Sequence, residues 1–163
     1  MSIPRALLDC LNNNKIPYEI IPHAKAFTAG MAAAVERIAR HQQAKVVMVS
    51  SKKGPVMAVL PADRKLDLRK LRSIIHEPVA LQSEAEFVPS FPDCQPGAMP
   101  PFGNLYGLPT CVDQHLADED YIIFEAGTYT DAIKIRYGDY ERAAKPLVAD
   151  LTIDHSEDMS TWS

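Results

Sequence analysis

No run of eighteen apolar residues occurs in the sequence, so nothing in it reads as a membrane-spanning helix. The first fifteen residues carry an acid, Asp9, and lack both a long apolar core and a small-residue cleavage site, which argues against a signal peptide. Cysteine is scarce: Cys10, Cys94 and Cys111 show no CxxC or CxxH spacing, which excludes a disulfide or zinc framework. They read as reduced thiols in a cytoplasmic protein. The motifs GxSxG, HExxH, GxGxxG and the P-loop are all missing. His23, His41, His76, His115 and His155 are scattered without ligand spacing, so neither a metal nor a cofactor is expected. Lysine and arginine are absent from Ser73 to Ile133, a stretch holding ten acids.

The missing cations are concentrated elsewhere. Arg37 to Arg72 holds ten basic residues against two acids, a local +8 on a chain of net charge −4. Such segregation makes a positive field on an acidic protein, or else a solvated basic face beside an acidic one. At 163 residues, with 47% apolar residues, one domain with a proper core is expected, spanning 1–151. The polar tail, 152–163, shows no pattern.

Periodicity organises the body. Ser2 is read as the cap of a helix to about Asn13, with Ile3, Leu7, Cys10 and Leu11 on its buried stripe. Tyr18 to Ile21 suits a short strand, and Thr28 opens a second helix to Arg40 with Met31, Val35 and Ile38 on one face. Val46–Val49 and Val56–Leu60, separated by Lys52-Lys53-Gly54-Pro55, predict a hairpin covered on both faces. Asp67 opens a helix to about His76, and Ser83-Glu84-Ala85-Glu86 fits a capping box. Further strands are expected at Val79–Leu81, Thr110–Asp113, Tyr121–Glu125 and Ala132–Arg136, then a last helix from Gly138 to about Leu147. The mixture predicts an α+β domain: a twisted mixed, mainly antiparallel sheet with flanking helices.

Asp93 to Pro109 is the exception to this regularity. Six of the thirteen prolines fall between Pro89 and Pro109, with Gly97, Gly103 and Gly107 among them. Proline fixes φ and removes a donor, so the segment is a stiff, irregular loop, suited to close approach of a ligand to its backbone or simply to connecting two elements. Cys94, inside it, is a nucleophile only if a basic group lies near. Lys45 abuts an apolar strand; its stem lies on apolar surface and its ammonium at the strand end suits a phosphate or carboxylate.

Four pieces in this order, Ala44-Lys45-Val46-Val47-Met48-Val49, Leu66 to Leu71, Gly97 to Gly103 and Gly127 to Ile133, resemble the YbaK/EbsC family of aminoacyl-tRNA deacylases. The resemblance runs from about Tyr18 to Leu147. One departure is Val46, where the family usually has a small polar residue after its lysine. The resemblance implies hydrolysis of the ester joining an incorrect amino acid to tRNA, with Lys45 as the key lysine. It also implies a substrate loop at Gly97, Ala98, Met99, Pro100, Pro101 and Phe102, with Gly127 beside it. Lys52, Lys53, Arg64 and Lys65 are then candidates for acceptor-stem phosphates. A water positioned on an already activated ester needs no protein nucleophile. The expectation is a free-standing editing hydrolase for a small amino acid, with tRNA, and a synthetase as a further candidate, for partners. Two other readings stay open: a domain that binds tRNA or an aminoacyl-adenylate-like ligand without hydrolysis, and a Cys94-dependent hydrolase.

Overall fold

The computed structural model describes residues 2–22 and 39–154. The helix expected from Thr28 falls outside the described residues but for its last two, as do His23 and His155. Eight strands are described: β1 (Glu19–Pro22), β2 (Gln43–Ser51), β3 (Gly54–Pro61), β4 (Ala80–Leu81), β5 (Thr110–Asp113), β6 (Tyr121–Thr128), β7 (Asp131–Arg136) and β8 (Leu147–Ala149). Five α-helices accompany them: α1 (Arg5–Asn13), α2 (Leu68–Ile75), α3 (Glu84–Phe87), α4 (Gln114–Ala117) and α5 (Tyr137–Ala144). The sheet runs β1-β7-β6-β2-β3-β5-β8, with β4 attached to β2 beside that path. Antiparallel pairs (β1·β7, β2·β3, β2·β4, β6·β7) mix with parallel ones (β2·β6, β3·β5, β5·β8), as an α+β domain requires.

The central hairpin is buried on both faces because its residues are apolar almost without interruption. Met48, Met57 and Val59 face one cluster with Leu7, Leu11, Phe91, Phe102, Phe124 and Tyr140. Val49, Val56, Ala58 and Leu60 face another with Leu71 of α2, Cys111 and Leu151. Among the described residues, no helix is long and apolar enough to cross a membrane.

Local signals explain most boundaries. Asp67 accepts the N–H groups of Arg69 and Lys70 to start α2, and Ser83 and Glu86 close a reciprocal capping box on α3. Three boundaries differ from the sequence reading. The first helix starts at Arg5, with Pro4 at its N-cap, so Ser2 caps nothing. Leu147 lies in a strand rather than a helix, because α5 stops at Ala144 and Lys145 adopts a left-handed conformation ahead of Pro146. Residues 152–154 stay with the body: Thr152 is fully buried and bridges to Leu66, and the Ile153 N–H reaches the Lys65 carbonyl.

Candidate active site

The sheet opens between β2 and β6. These parallel strands pair only at Gln43–Ile123 and Ala44–Phe124. Further along the same edge, β2 pairs with β4 at Val49 and Ser50. In between, no strand lies beside β2 on that edge among the described residues. The Gln43 carbonyl accepts the Ala62 N–H across the β2–β3 hairpin, and backbone direction alternates along a strand. The N–H and C=O of Val46 therefore point into the split. Its side chain stands perpendicular to them, out of the sheet plane, and packs against the Phe124 cluster. The residue that departs from the family pattern thus meets the core.

Lys45 stands at the near margin of this split, one residue past the last β2–β6 rung. Its face is that of α2, where an open cleft of about 460 Å³ is lined by Lys45, Val47, Lys65, Asp67, Arg69 and Leu81, among others. Burial lowers the Lys45 pKa most, and the positive charges of Arg40 and Lys65 lower it further, against the opposing pull of Asp63. Its ammonium has no hydrogen-bond or ion-pair partner among the described residues. A partly desolvated cation with no such partner among the described residues would gain from a phosphate or carboxylate entering the cleft.

The Pro/Gly loop forms the far margin. Where β2 leaves β6, the loop becomes the partner of β6: the Gly127 N–H donates to the Ala98 carbonyl and the Gly127 carbonyl accepts the Gln95 N–H, both at 2.8 Å. Glycine is required at 127. Its φ is +85°, and a Cβ there would stand 2.5 Å from the Pro4 ring. Gly97 also has positive φ, +88°, with nothing within 4 Å of where its Cβ would be, so this part of the loop borders open space. Ala98, Met99, Pro100, Pro101 and Phe102 are buried. Met99 and Phe102 join the Phe124 cluster, and none of the five lines the Lys45 cleft. Lys45 and the buried Met99 and Phe102 of the loop therefore lie on opposite faces of the sheet.

The four other basic candidates separate into two groups. Arg64 and Lys65 follow β3 at the Lys45 end of the hairpin, where Arg40 also donates to the Ala62 carbonyl. Lys52 and Lys53 form the turn at the opposite end, with the Lys53 ammonium 3.9 Å from Glu77. Cys94 is buried and shares a triangle with Asp93 and the Tyr106 hydroxyl. Burial, offset in part by Tyr106 and reinforced by the Asp93 charge, pushes its thiol up to about 11. Such a thiol is protonated at neutral pH, which removes the Cys94-dependent reading. The cluster Asp113, His115 and Asp150 is compact, but Asp113 already caps α4 and holds the Leu151 N–H, and Asp150 pairs with Lys70.

Sequence reasoning missed Glu125, the first residue of β6 past its last rung with β2. The residue is exposed, and desolvation by the surrounding protein raises its pKa to about 7. It also missed Tyr129 and Tyr140, whose hydroxyls hold the loop. A phenol at a helix or turn position carries no spacing signal, so only the folded arrangement reveals them.

Known proteins resemble this chain over most of its length. A family described as "Aminoacyl-tRNA editing domain" matches residues 23–143. The Escherichia coli K12 protein named "Multifunctional Ser/Thr-tRNA deacylase ProXp-y" is 29% identical over 146 residues, covering 86% of this chain and 87% of its own length. Two solved structures share the fold. One, described as a proposed trans-editing enzyme for prolyl-tRNA synthetase, superposes with a TM-score of 0.77 at 21% identity over 92% of this chain and 96% of its own. The other, the hypothetical protein APE2540, gives 0.80 at 18% identity over 91% of this chain and all of its own.

Proposed function

Since the chain belongs to the aminoacyl-tRNA editing domain family, we propose that it is a free-standing hydrolase that removes a small amino acid from a mischarged tRNA. The observation that carries this reading is the split between β2 and β6, with a lysine unpartnered among the described residues on one margin and the Pro/Gly loop on the other. Lys45 holds the terminal phosphate or ribose end of the tRNA as a point charge. The loop meets the aminoacyl group. Water adds to the ester carbonyl, the bond to the ribose oxygen breaks, and that oxygen leaves with a proton as a free hydroxyl. Backbone N–H groups at the carbonyl oxygen stabilise the negative charge that develops there.

The E. coli relative is named for seryl and threonyl substrates, and these are the acyl groups we assign here. Both are small enough for a pocket that selects by excluding larger residues. The partner is the aminoacylated end of tRNA, met in the cytoplasm. Hydrolysis is preferred over simple binding because the Val46 side chain, the departure from the family, points into the core and takes no polar group from the cleft.

Turnover on a panel of mischarged tRNAs tests the reading. The wild type should complete many turnovers on seryl- or threonyl-tRNA. Lys45→Ala should lose about 10- to 100-fold in kcat/KM, the cost of one charge-assisted contact, with an unchanged thermal midpoint. Wild-type turnover in Lys45→Ala would remove the lysine from the mechanism.

A further inference from the structure

Half of the polar backbone groups of the Gly97–Pro101 segment already have partners among the described residues. The Ala98 N–H goes to the Gln95 carbonyl at 3.0 Å, the Ala98 carbonyl receives the Gly127 N–H, and the Pro100 carbonyl receives the Phe102 N–H at 2.8 Å. Pro100 and Pro101 have no N–H to offer. The two carbonyls that bracket the segment are both held by tyrosines. The Tyr129 hydroxyl, from the β6–β7 turn, donates to the Pro96 carbonyl at 2.5 Å. The Tyr140 hydroxyl, from α5, donates to the Pro101 carbonyl at 2.8 Å. What remains is the N–H and C=O of Gly97 and of Met99, which have no partner among the described residues. Met99 is itself buried, and buried backbone groups without partners mark a place where a ligand or water completes them.

We propose that Tyr129 and Tyr140 are positioning residues: they clamp the loop from both ends, so that the Gly97 and Met99 backbone groups stand at fixed points and set which acyl group is accepted. The selectivity part rests on the editing reading above. The two clamps differ in kind. Tyr140 is fully buried and stacks edge-on against Phe102, 5.3 Å between ring centres, so its hydroxyl is aimed by packing. Tyr129 sits on the surface side and is steadied by its own N–H, which donates to the Gln95 side-chain oxygen at 2.7 Å. Neither hydroxyl belongs to a strand ladder; each bonds a loop carbonyl. Both determine where one short segment lies relative to Gly127. Discrimination by a single methylene amounts to only about 10- to 200-fold, so a loop released by a few tenths of an ångström loses selectivity before it loses turnover.

Tyr129→Phe and Tyr140→Phe each delete one hydroxyl and keep the ring. The experiment measures kcat/KM for seryl- and threonyl-tRNA with both variants, alongside amide hydrogen exchange of the free protein. The expected result is a change of at least fivefold in the seryl/threonyl ratio, with faster exchange confined to Gly97, Ala98 and Met99. A parental ratio together with parental exchange at these amides in both variants would overturn the proposal. If Tyr140→Phe lowers stability globally, Tyr129→Phe alone decides. If the wild type hydrolyses none of the tRNAs, the editing reading and the selectivity claim fail together, while exchange still tells whether the hydroxyls clamp the loop.

Discussion

Two glycines show how much one missing Cβ decides in this chain. At Gly127 the backbone lies at φ +85° and an added methyl would strike the Pro4 ring at 2.5 Å. At Gly138, inside α5, φ is helical and nothing lies within 4 Å of a would-be Cβ. Gly127→Ala should therefore destabilise by about 2 kcal/mol or more, combining the left-handed penalty with a clash against α1's entry. Gly138→Ala should instead stabilise by about 0.5–1 kcal/mol through helix propensity and a less flexible unfolded chain. Urea denaturation of the two variants gives the signs directly. An equal effect would mean that the Gly127 turn relaxes freely, contrary to its double hydrogen bond with the loop.

At the scale of elements, two carboxylates respond to pH in opposite directions. Burial alone would raise Asp67, but the hydrogen bonds from the Arg69 side chain and from the Arg69 and Lys70 N–H groups, with the Arg69 charge, hold it below its ordinary value. A depressed folded pKa contributes stability that is present above the unfolded value, about 3.9, and is lost as pH falls. Asp67→Asn keeps a capping oxygen and removes the charge, so the stability gap to wild type should be constant above that value and close as pH falls below it. Glu125 has the reverse linkage. Its folded pKa of about 7 favours the protonated form, so its contribution is present below about pH 4.3 and disappears as pH rises to 7. Glu125→Gln should gain on the wild type across that window and hold its advantage above it. Chemical denaturation at several pH values checks both slopes, and parallel slopes would contradict the assignment. The capping of α2 was legible because Asp67 stands immediately before a periodic apolar stripe. Glu125 was not, because its strand reads as an ordinary alternating segment until β6 is seen to leave β2. The hairpin and Lys45 were equally legible from local pattern. The order of strands, the split and the tyrosine clamps depend on contacts far apart in sequence, such as Tyr140 with Pro101, which no periodicity encodes.

For the molecule as a whole, the sheet converts a basic stretch of sequence into two separate patches. Lys45 and Lys52 are seven residues apart on one extended strand and turn, so the ends of the hairpin are about 24 Å apart. Arg40, Lys45, Arg64 and Lys65 share the end that opens onto the cleft, whereas Lys52 and Lys53 form the turn at the other, with Lys53 near Glu77. If a phosphate chain runs from the acyl pocket outward, the nearer group meets it first. Each phosphate neutralised contributes a slope of about 0.7–0.9 in log affinity against log salt. On a protein of net charge −4 the contacts are few, and binding should be weak and salt-sensitive. Arg64→Gln with Lys65→Gln should therefore raise KM for the mischarged tRNA by about tenfold and reduce its salt slope, leaving kcat nearly unchanged. Lys52→Gln with Lys53→Gln should change KM by less than twofold. The comparison turns on position alone, since both double variants remove two charges. A larger effect at the Lys52–Lys53 turn would place the tRNA body along the hairpin toward Glu77, at the end away from the cleft.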